Sequence, residues 1–207
     1  SRRNSYMCNL PAQLQRAKLI RLTETIEQRF GTRPTSFRAG RYGLDARGAR
    51  ILAELGYVVD SSVIPFYDYS DRGGPDFRRA PYQPYRIAQR DLCTPAADGR
   101  LLEVPVSVGF TQSRFELASA VRQLASARSL RRFRLVGILD RLNLVRRVKL
   151  SPEQADAARM KHLVDAYLAR GAPCMVMMLH SSSLVPGCSP YVPDQQRLEG
   201  FYQDLEA

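Results

Sequence analysis

The pattern of apolar and polar positions predicts helices alternating with strands over the first sixty residues. An amphipathic stretch begins after Pro11 and ends at Gly31, a position where a left-handed helix C-cap is favoured. A short apolar segment at 35–38 predicts a strand, and residues 45–55 predict a second helix capped by an aspartate. Residues 57–60 predict the next strand. The apolar face of the first helix would comprise Leu14, Ala17, Leu19, Leu22, Ile26 and Phe30.

The rest of the chain continues this alternation after a long interruption. Residues 65–98 are rich in proline, glycine and tyrosine and predict a long ordered loop. A strand is expected at 101–106, a helix at 115–127, and another helix from the Ser-Pro-Glu start at 151–153 to about residue 170. The continuous apolar run at 174–179 predicts a strand buried on both faces of a parallel sheet. Together these elements predict an α/β fold with mostly parallel strands and surrounding helices.

Length and composition limit the classes of protein. A chain of 207 residues can form one α/β domain with a substantial core, and we expect a single domain over 1–207. No apolar run approaches the ~20 residues that a transmembrane helix needs. The compartment stays open between the cytoplasm and the cell envelope.

Net charge adds one candidate surface. The chain carries +11, and the segment 128–149 alone carries +7, with eight basic residues against one acid. Its apolar residues are spaced as in a helix, so a solvated basic helix face is one interpretation. Contact with an anionic glycan, a lipid headgroup or another anionic surface is the other. No aromatic-rich motif supports nucleic acid as the partner.

Three predicted strand ends carry polar side chains suited to chemistry. They are Arg38, Asp60 and His180. In α/β folds such groups gather at the carboxyl ends of parallel strands. His180 is the sharpest candidate, because it ends an apolar run and precedes three serines, and imidazole is an acid or base near neutral pH.

Four segments in this order resemble the later motifs of the polysaccharide deacetylases, the NodB-homology carbohydrate esterases. They are FRAGRYG at 37–43, GYVVDSS at 56–62, LLEVPV at 101–106 and LHSS at 179–182. The resemblance extends from about Leu10 to the C-terminus. It implies an irregular (β/α) barrel, of which this chain would form part.

The resemblance also implies a role for each matching residue. His180 matches the general acid that protonates the departing amine, and Leu179 matches the residue that lines the acetyl-methyl pocket. Arg38 matches the arginine that orients the catalytic aspartate. Tyr42 matches an aromatic residue whose backbone N–H holds the oxyanion, although the spacing before Gly43 differs from the family pattern. Asp60 matches a polar substrate-side position. The substrate would be an acetylated polysaccharide or oligosaccharide.

The family's base and metal ligands have no counterpart in this sequence. The family uses a divalent, zinc-like metal held by motifs with paired aspartates and two neighbouring histidines. This chain contains no Asp-Asp pair and only two histidines, separated by 17 residues. We expect both motifs to lie upstream of Ser1 in a longer protein, so the chain would be inactive alone. A natural metal-free relative is the alternative.

Two other functions stay open. The first is a non-catalytic glycan- or polyanion-binding module on a deacetylase-like scaffold, indicated by the basic segment and by tyrosines that can stack on sugars. They are Tyr67, Tyr69, Tyr82 and Tyr85. The second is a serine hydrolase that uses His180 with one of the serines at 181–183. No G-x-S-x-G motif supports it.

Overall fold

In the computed structural model, helices and strands alternate up to about residue 60 and follow one another in groups after it. The structure describes residues 2–88, 90–112, 114–126, 135–142 and 144–207. The chain divides into two units, Ser1–Val106 and Ser107–Ala207. The expectation of one domain over 1–207 stays a prediction. Among the described residues, no helix is both long enough and apolar enough to cross a membrane.

The first unit is built on helices α1 (Ala12–Phe30) and α2 (Ala46–Glu54). Both predicted helices are confirmed. Gly31 ends α1 in the left-handed conformation (φ 67°), with its N–H bonded to the Glu27 carbonyl. The Asp45 carboxylate begins α2 by accepting the Gly48 N–H at 2.8 Å.

The buried face of α1 differs from the predicted one. Gln15, Leu19 and Thr23 are its buried residues, spaced four apart on one helical face. Leu14, Leu22 and Phe30, which were expected to lie inward, are exposed. Two of the buried polar groups have partners: the Gln15 amide nitrogen donates to the Leu10 carbonyl, and the Thr23 hydroxyl lies 2.9 Å from the Tyr57 hydroxyl. These hydrogen bonds allow polar residues to occupy the inner face.

A five-stranded sheet completes the first unit, in the order β1-β2-β5-β3-β4. Its strands are β1 (Ser36–Phe37), β2 (Val59–Asp60), β3 (Tyr85–Ala88), β4 (Asp91–Pro95) and β5 (Leu102–Glu103). The strands β1, β2 and β5 pair in parallel, whereas β3 is antiparallel to β5 and β4 is antiparallel to β3. The predicted α/β class is confirmed. The described strands form no closed barrel, and the pairings are mixed rather than mostly parallel.

The hairpin β3–β4 lies inside the region predicted to be a long loop, so that prediction is wrong for its second half. Tyr85 and Ile87 are buried while Arg86 is exposed, which is the alternation of a strand with one buried face. The surrounding prolines and glycines concealed this short pattern in the sequence.

The second unit combines helices with one strand pair. The strands β6 (Val108–Phe110) and β7 (Arg147–Lys149) are antiparallel. The helices are α3 (Phe115–Ala125), α4 (Leu135–Arg141), α5 (Ala157–Leu168) and α6 (Gln195–Glu206). Its core includes Phe110, Phe115, Leu163 and Tyr167. A Cβ at Gly109 would lie 2.4 Å from the Phe115 ring, so only glycine fits there.

Two predicted helices of this unit need correction. The basic segment 128–149 is not one helix: residues 135–141 are helical, residues 147–149 form β7, and Lys149 is buried. Residues 127–134 lie outside the described residues. The helix expected from Pro152 begins only at Ala157, because Asp156 caps it by accepting the Arg159 N–H at 2.9 Å. Glu153 is therefore left in the turn that precedes the helix.

The expected buried strand at 174–179 is wrong as predicted. The segment runs beside β7, and the Met178 N–H donates to the Leu150 carbonyl at 3.0 Å. On its other side, no described residue accepts the backbone N–H groups of Met175, Met177 and Leu179. A two-sided ladder is thus absent from the described part of the chain, and Met177 remains 45% exposed.

Candidate functional site

His180 ends the extended segment of the second unit, where the backbone turns away from β7. The Met178 amide is held by the chain after β7, and two residues later the His180 N–H donates to the Glu153 carboxylate at 2.8 Å. Glu153 lies in the turn before α5. This backbone contact fixes where the imidazole projects, and the His180 side chain is 58% exposed.

Glu153 also holds the imidazole itself. His180 Nδ1 lies 2.9 Å from Glu153 Oε2 and 3.0 Å from Oε1. An ionised carboxylate can only accept, so Nδ1 carries the hydrogen of this contact. Nε2 has no hydrogen-bond partner among the described residues, and more than half of the side-chain surface is exposed. The geometry is that of an imidazole oriented by a buried acid, with one nitrogen left for proton transfer.

Two serines complete the support of this carboxylate. The Ser183 hydroxyl donates to Glu153 Oε1 at 2.5 Å and lies 2.9 Å from the Ser189 hydroxyl. The Glu153 side chain is fully buried. Burial alone raises the pKa of the Glu153 carboxyl, but hydrogen bonds from Ser183 and His180 outweigh it and leave the pKa lowered. Glu153 is therefore held in its charged form.

An aromatic ring packs beside the imidazole. The Tyr191 ring is stacked on His180, with centroids 6.1 Å apart and planes 9° apart. The Tyr191 N–H is itself bonded to the Ser189 hydroxyl at 3.2 Å. One serine thus links the support of Glu153 to the ring that packs against His180.

Leu179 lies next to His180 but is turned toward a small apolar cluster. It packs against Val192, Leu198 and Phe201 and is half-buried. Leu179 and His180 are thus adjacent in the chain, but the Leu179 side chain packs against the apolar cluster. A role for Leu179 in lining an acetyl pocket stays a prediction.

The other predicted site residues belong to the first unit, at the ends of β1 and β2. The Arg38 guanidinium donates to the Ser61 carbonyl at 3.0 Å and to the Ser61 hydroxyl at 2.8 Å. These bonds join the chain leaving β1 to the chain leaving β2, so Arg38 is bonded to the residue that directly follows Asp60. Its role in orienting a catalytic aspartate stays a prediction.

Tyr42 has an unusual backbone conformation. Arg41 and Tyr42 both have positive φ, 57° and 58°, which is uncommon for residues with side chains. The Tyr42 N–H donates to the Ala39 carbonyl at 3.1 Å, so in this structure it serves the turn. Its predicted contribution to an oxyanion site stays a prediction.

Asp60 is buried rather than presented at the surface. Its carboxyl oxygens accept the Ser62 hydroxyl at 2.7 Å and the Ser62 N–H at 3.0 Å. Its register partner on β5 is Glu103, which is equally buried. The assigned contact with substrate stays a prediction.

The sequence analysis missed the carboxyl partners of His180 and Asp60, which are Glu153 and Glu103. Glu153 was placed inside a helix, and Glu103 was treated as an ordinary strand residue. One signal could have located Glu153: Asp156 is as good a helix N-cap as Ser151, and a helix that begins after Asp156 leaves Glu153 outside it. The partnership of Glu103 with Asp60 depends on strand register, for which the sequence carries no local signal.

The described residues do not fit the divalent metal that the resemblance implies. No group of three or more histidine, cysteine, aspartate or glutamate side chains arranged to hold a metal occurs within the described ranges. The serine hydrolase alternative is also unsupported by the geometry. Ser183 is buried and directs its hydroxyl to Glu153 rather than to the imidazole.

Comparisons with known proteins add no identification. The chain matches no protein-family model, no curated protein and no solved structure.

Proposed function

We propose that this chain supplies the general acid of a polysaccharide deacetylase-like carbohydrate esterase that hydrolyses N- or O-acetyl groups of a glycan. The observation that carries the proposal is the His180–Glu153 pair, an exposed imidazole held through Nδ1 by a fully buried carboxylate. The ordered motifs around Arg38, Asp60 and Leu179 support the assignment to this type of enzyme. The parallel strands β1, β2 and β5 would form part of its irregular barrel.

The pair is suited to donating a proton. When Glu153 accepts the Nδ1 hydrogen, the proton available for transfer is the one on Nε2. A hydrogen on Nε2 can pass to the departing amine or alcohol while the Glu153 carboxylate holds the Nδ1 hydrogen in place. Because the backbone N–H of His180 also bonds to Glu153, the ring and the main chain are fixed together.

The chain is not proposed to act alone. The resemblance implies a base from a paired-aspartate motif, and no such pair occurs in the sequence. We therefore expect this chain by itself to be inactive on acetylated glycans. His180 would act together with groups that lie outside it.

The decisive experiment measures deacetylation of an N-acetylated glycan by a protein that contains this chain together with its upstream residues. His180→Ala should lower the rate by roughly 10²-fold or more. Ser182→Ala is the matched control, since Ser182 is an exposed neighbour, and it should leave the rate unchanged. Unchanged activity of the His180 variant would remove this residue from the mechanism.

A second measurement needs only the chain itself. Nitrogen chemical shifts of the imidazole report which ring nitrogen carries hydrogen. In the native chain Nδ1 should carry it, and Glu153→Ala should release this preference. Equal shifts in both proteins would show that Glu153 does not orient the ring.

A non-catalytic glycan-binding module is the second candidate. The stacked rings of Tyr42, Tyr69 and Tyr67 favour it. Tyr69 is stacked on Tyr42 with centroids 6.1 Å apart and planes 15° apart, and on Tyr67 at 5.8 Å and 19°. Tyr85 does not belong to this group, because it is buried and donates to the Leu92 carbonyl. Tight glycan binding that persists with a chelator, and that Tyr69→Ala abolishes, would favour the module. Binding of anionic surfaces through 128–149 stays a prediction.

A further inference from the structure

The buried carboxyl pair formed by Asp60 and Glu103 plays no part in the proposed acid chemistry. The two residues are register partners on the parallel strands β2 and β5. Both have 0% of their surface exposed. Two adjacent ionised carboxylates in such a place would lack hydration and would repel each other.

The hydrogen bonds of the pair are incomplete in a specific way. Both oxygens of Asp60 accept hydrogen bonds from Ser62, and Glu103 Oε1 accepts the Val63 N–H at 2.9 Å. Glu103 Oε2 is buried and receives no donor from the described residues. A buried carboxylate oxygen without a donor destabilises the fold, because its lost hydration is not replaced by a hydrogen bond. The same oxygen would be satisfied if it carried a hydrogen.

We propose that Asp60 and Glu103 form a proton-binding site, in which Glu103 Oε2 carries one proton and donates it to the Asp60 carboxylate. The proton turns the unsatisfied oxygen into a donor and reduces the buried charge of the pair to −1. This inference does not depend on the proposed glycan chemistry.

The surroundings favour retention of that proton. Burial, and then the neighbouring Asp60, raise the pKa of Glu103 well above its ordinary value. Arg38 opposes this effect, but its guanidinium is bonded to Ser61. The other titratable groups that interact with Glu103 carry no positive charge: they are Tyr85 on β3 and Cys93 on β4. Burial raises the pKa of Cys93 to about 12, so that thiol is neutral near neutral pH.

The shared proton also stabilises the turn to which Arg38 is bonded. The carboxyl oxygens of the pair accept the backbone N–H groups of Ser62 and Val63, which follow β2 directly. Arg38 is bonded to Ser61 in the same turn. Loss of the proton would set two like charges against each other beneath this turn. Alkaline pH should therefore loosen residues 61–63 before it affects the rest of the sheet.

Infrared spectroscopy of the native chain tests the proposal directly. A protonated carboxylic acid has a carbonyl stretching band separate from those of carboxylates and amides. The native chain should show one such band at neutral pH. Glu103→Gln should lack the band, and Glu24→Gln, at an exposed carboxyl of the same unit, should keep it. Absence of the band from the native chain would overturn the proposal.

The pH dependence of unfolding gives a second test. The folded state retains a proton that the unfolded state releases above the ordinary glutamate pKa. The unfolding constant should therefore rise by about tenfold per pH unit above that value, until the folded pair itself loses its proton. Glu103→Gln should lose this rise of the unfolding constant with pH, whereas Glu24→Gln should retain it. Equal pH dependence of Glu103→Gln and native protein would contradict the shared proton, even if the proposed deacetylase role of His180 held.

Discussion

The two units each bury a glutamate near the end of an extended segment, and the two carboxyls differ in charge. Glu153 receives the Ser183 hydroxyl, the His180 N–H and the His180 ring, and its pKa is lowered. Glu103 receives one backbone N–H and faces another carboxyl, and its pKa is raised. Both side chains are removed from solvent, so burial does not decide the difference.

The number and type of hydrogen-bond donors decide which of the two carboxyls is charged. A carboxylate with several donors and a basic partner keeps its charge in the protein interior. A carboxyl whose neighbour is another carboxyl takes a proton, which supplies the missing donor. The first arrangement prepares an imidazole for acid–base chemistry, whereas the second joins two strands of a sheet.

The largest expected effect is a difference in the free energy of unfolding between substitutions of Glu153 and of Glu103. Glu153→Ala should lower the free energy of unfolding by about 3 kcal/mol, because it leaves the Ser183 hydroxyl and His180 N–H without their acceptor. Glu103→Gln should cost no stability at neutral pH, because it removes the proton uptake that weakens the folded state above the ordinary glutamate pKa, and its amide can donate to Asp60. Urea unfolding measures both values. Equal costs would show that the two sites do not differ in charge state.

A smaller effect is expected from the serine that supports Glu153. Ser183→Ala removes one donor from Glu153 Oε1 and should destabilise the chain by about 1–2 kcal/mol. It should also raise the pKa of Glu153 toward its ordinary value. The exposed neighbour Ser182 gives the control: Ser182→Ala should change stability by no more than about 0.5 kcal/mol. Thermal unfolding of the two variants compares them, and a similar loss in both would contradict the role of Ser183.

Lowering the pH should affect the local stability of the two units differently, without any substitution. The pKa of Glu153 is lowered by folding, so its contribution is present above the unfolded pKa of about 4.3 and is lost as pH falls through the folded pKa. Residues 180–189 should therefore lose protection from hydrogen exchange in acid. Residues 59–63 should keep it, since acid leaves the proton of the Asp60–Glu103 pair in place. Loss of protection in the opposite order would refute the assigned charge states.

The smallest effect should come from the ring beside His180. Tyr191→Leu removes the stacked contact and should cost about 1 kcal/mol or less, while Tyr191→Phe keeps the ring and should cost less still. Nuclear magnetic resonance signals of the His180 ring should broaden in the leucine variant only. Unchanged signals would show that Glu153 alone fixes the imidazole.

Sequence reasoning predicted local elements well where their signals were local. Gly31 ends α1 and Asp45 caps α2 as expected, because a left-handed cap and a side-chain cap depend on a few neighbouring residues. It failed for the hairpin β3–β4 and for 174–179. The first is brief and surrounded by prolines, and the second depends on whether another segment pairs with its free edge.

The chain's own order of residues determined the α/β class, the two helix caps and the position of His180 after an apolar segment. Tertiary structure alone decided what His180 can do. Glu153 is 27 residues away in sequence and reaches the imidazole only because the segment before His180 runs beside the end of β7. In the same way, strand register places Glu103 against Asp60. Charge states depend on such distant partners, since the hydrogen bonds that set a buried carboxyl's pKa come from whichever donors the fold brings to it.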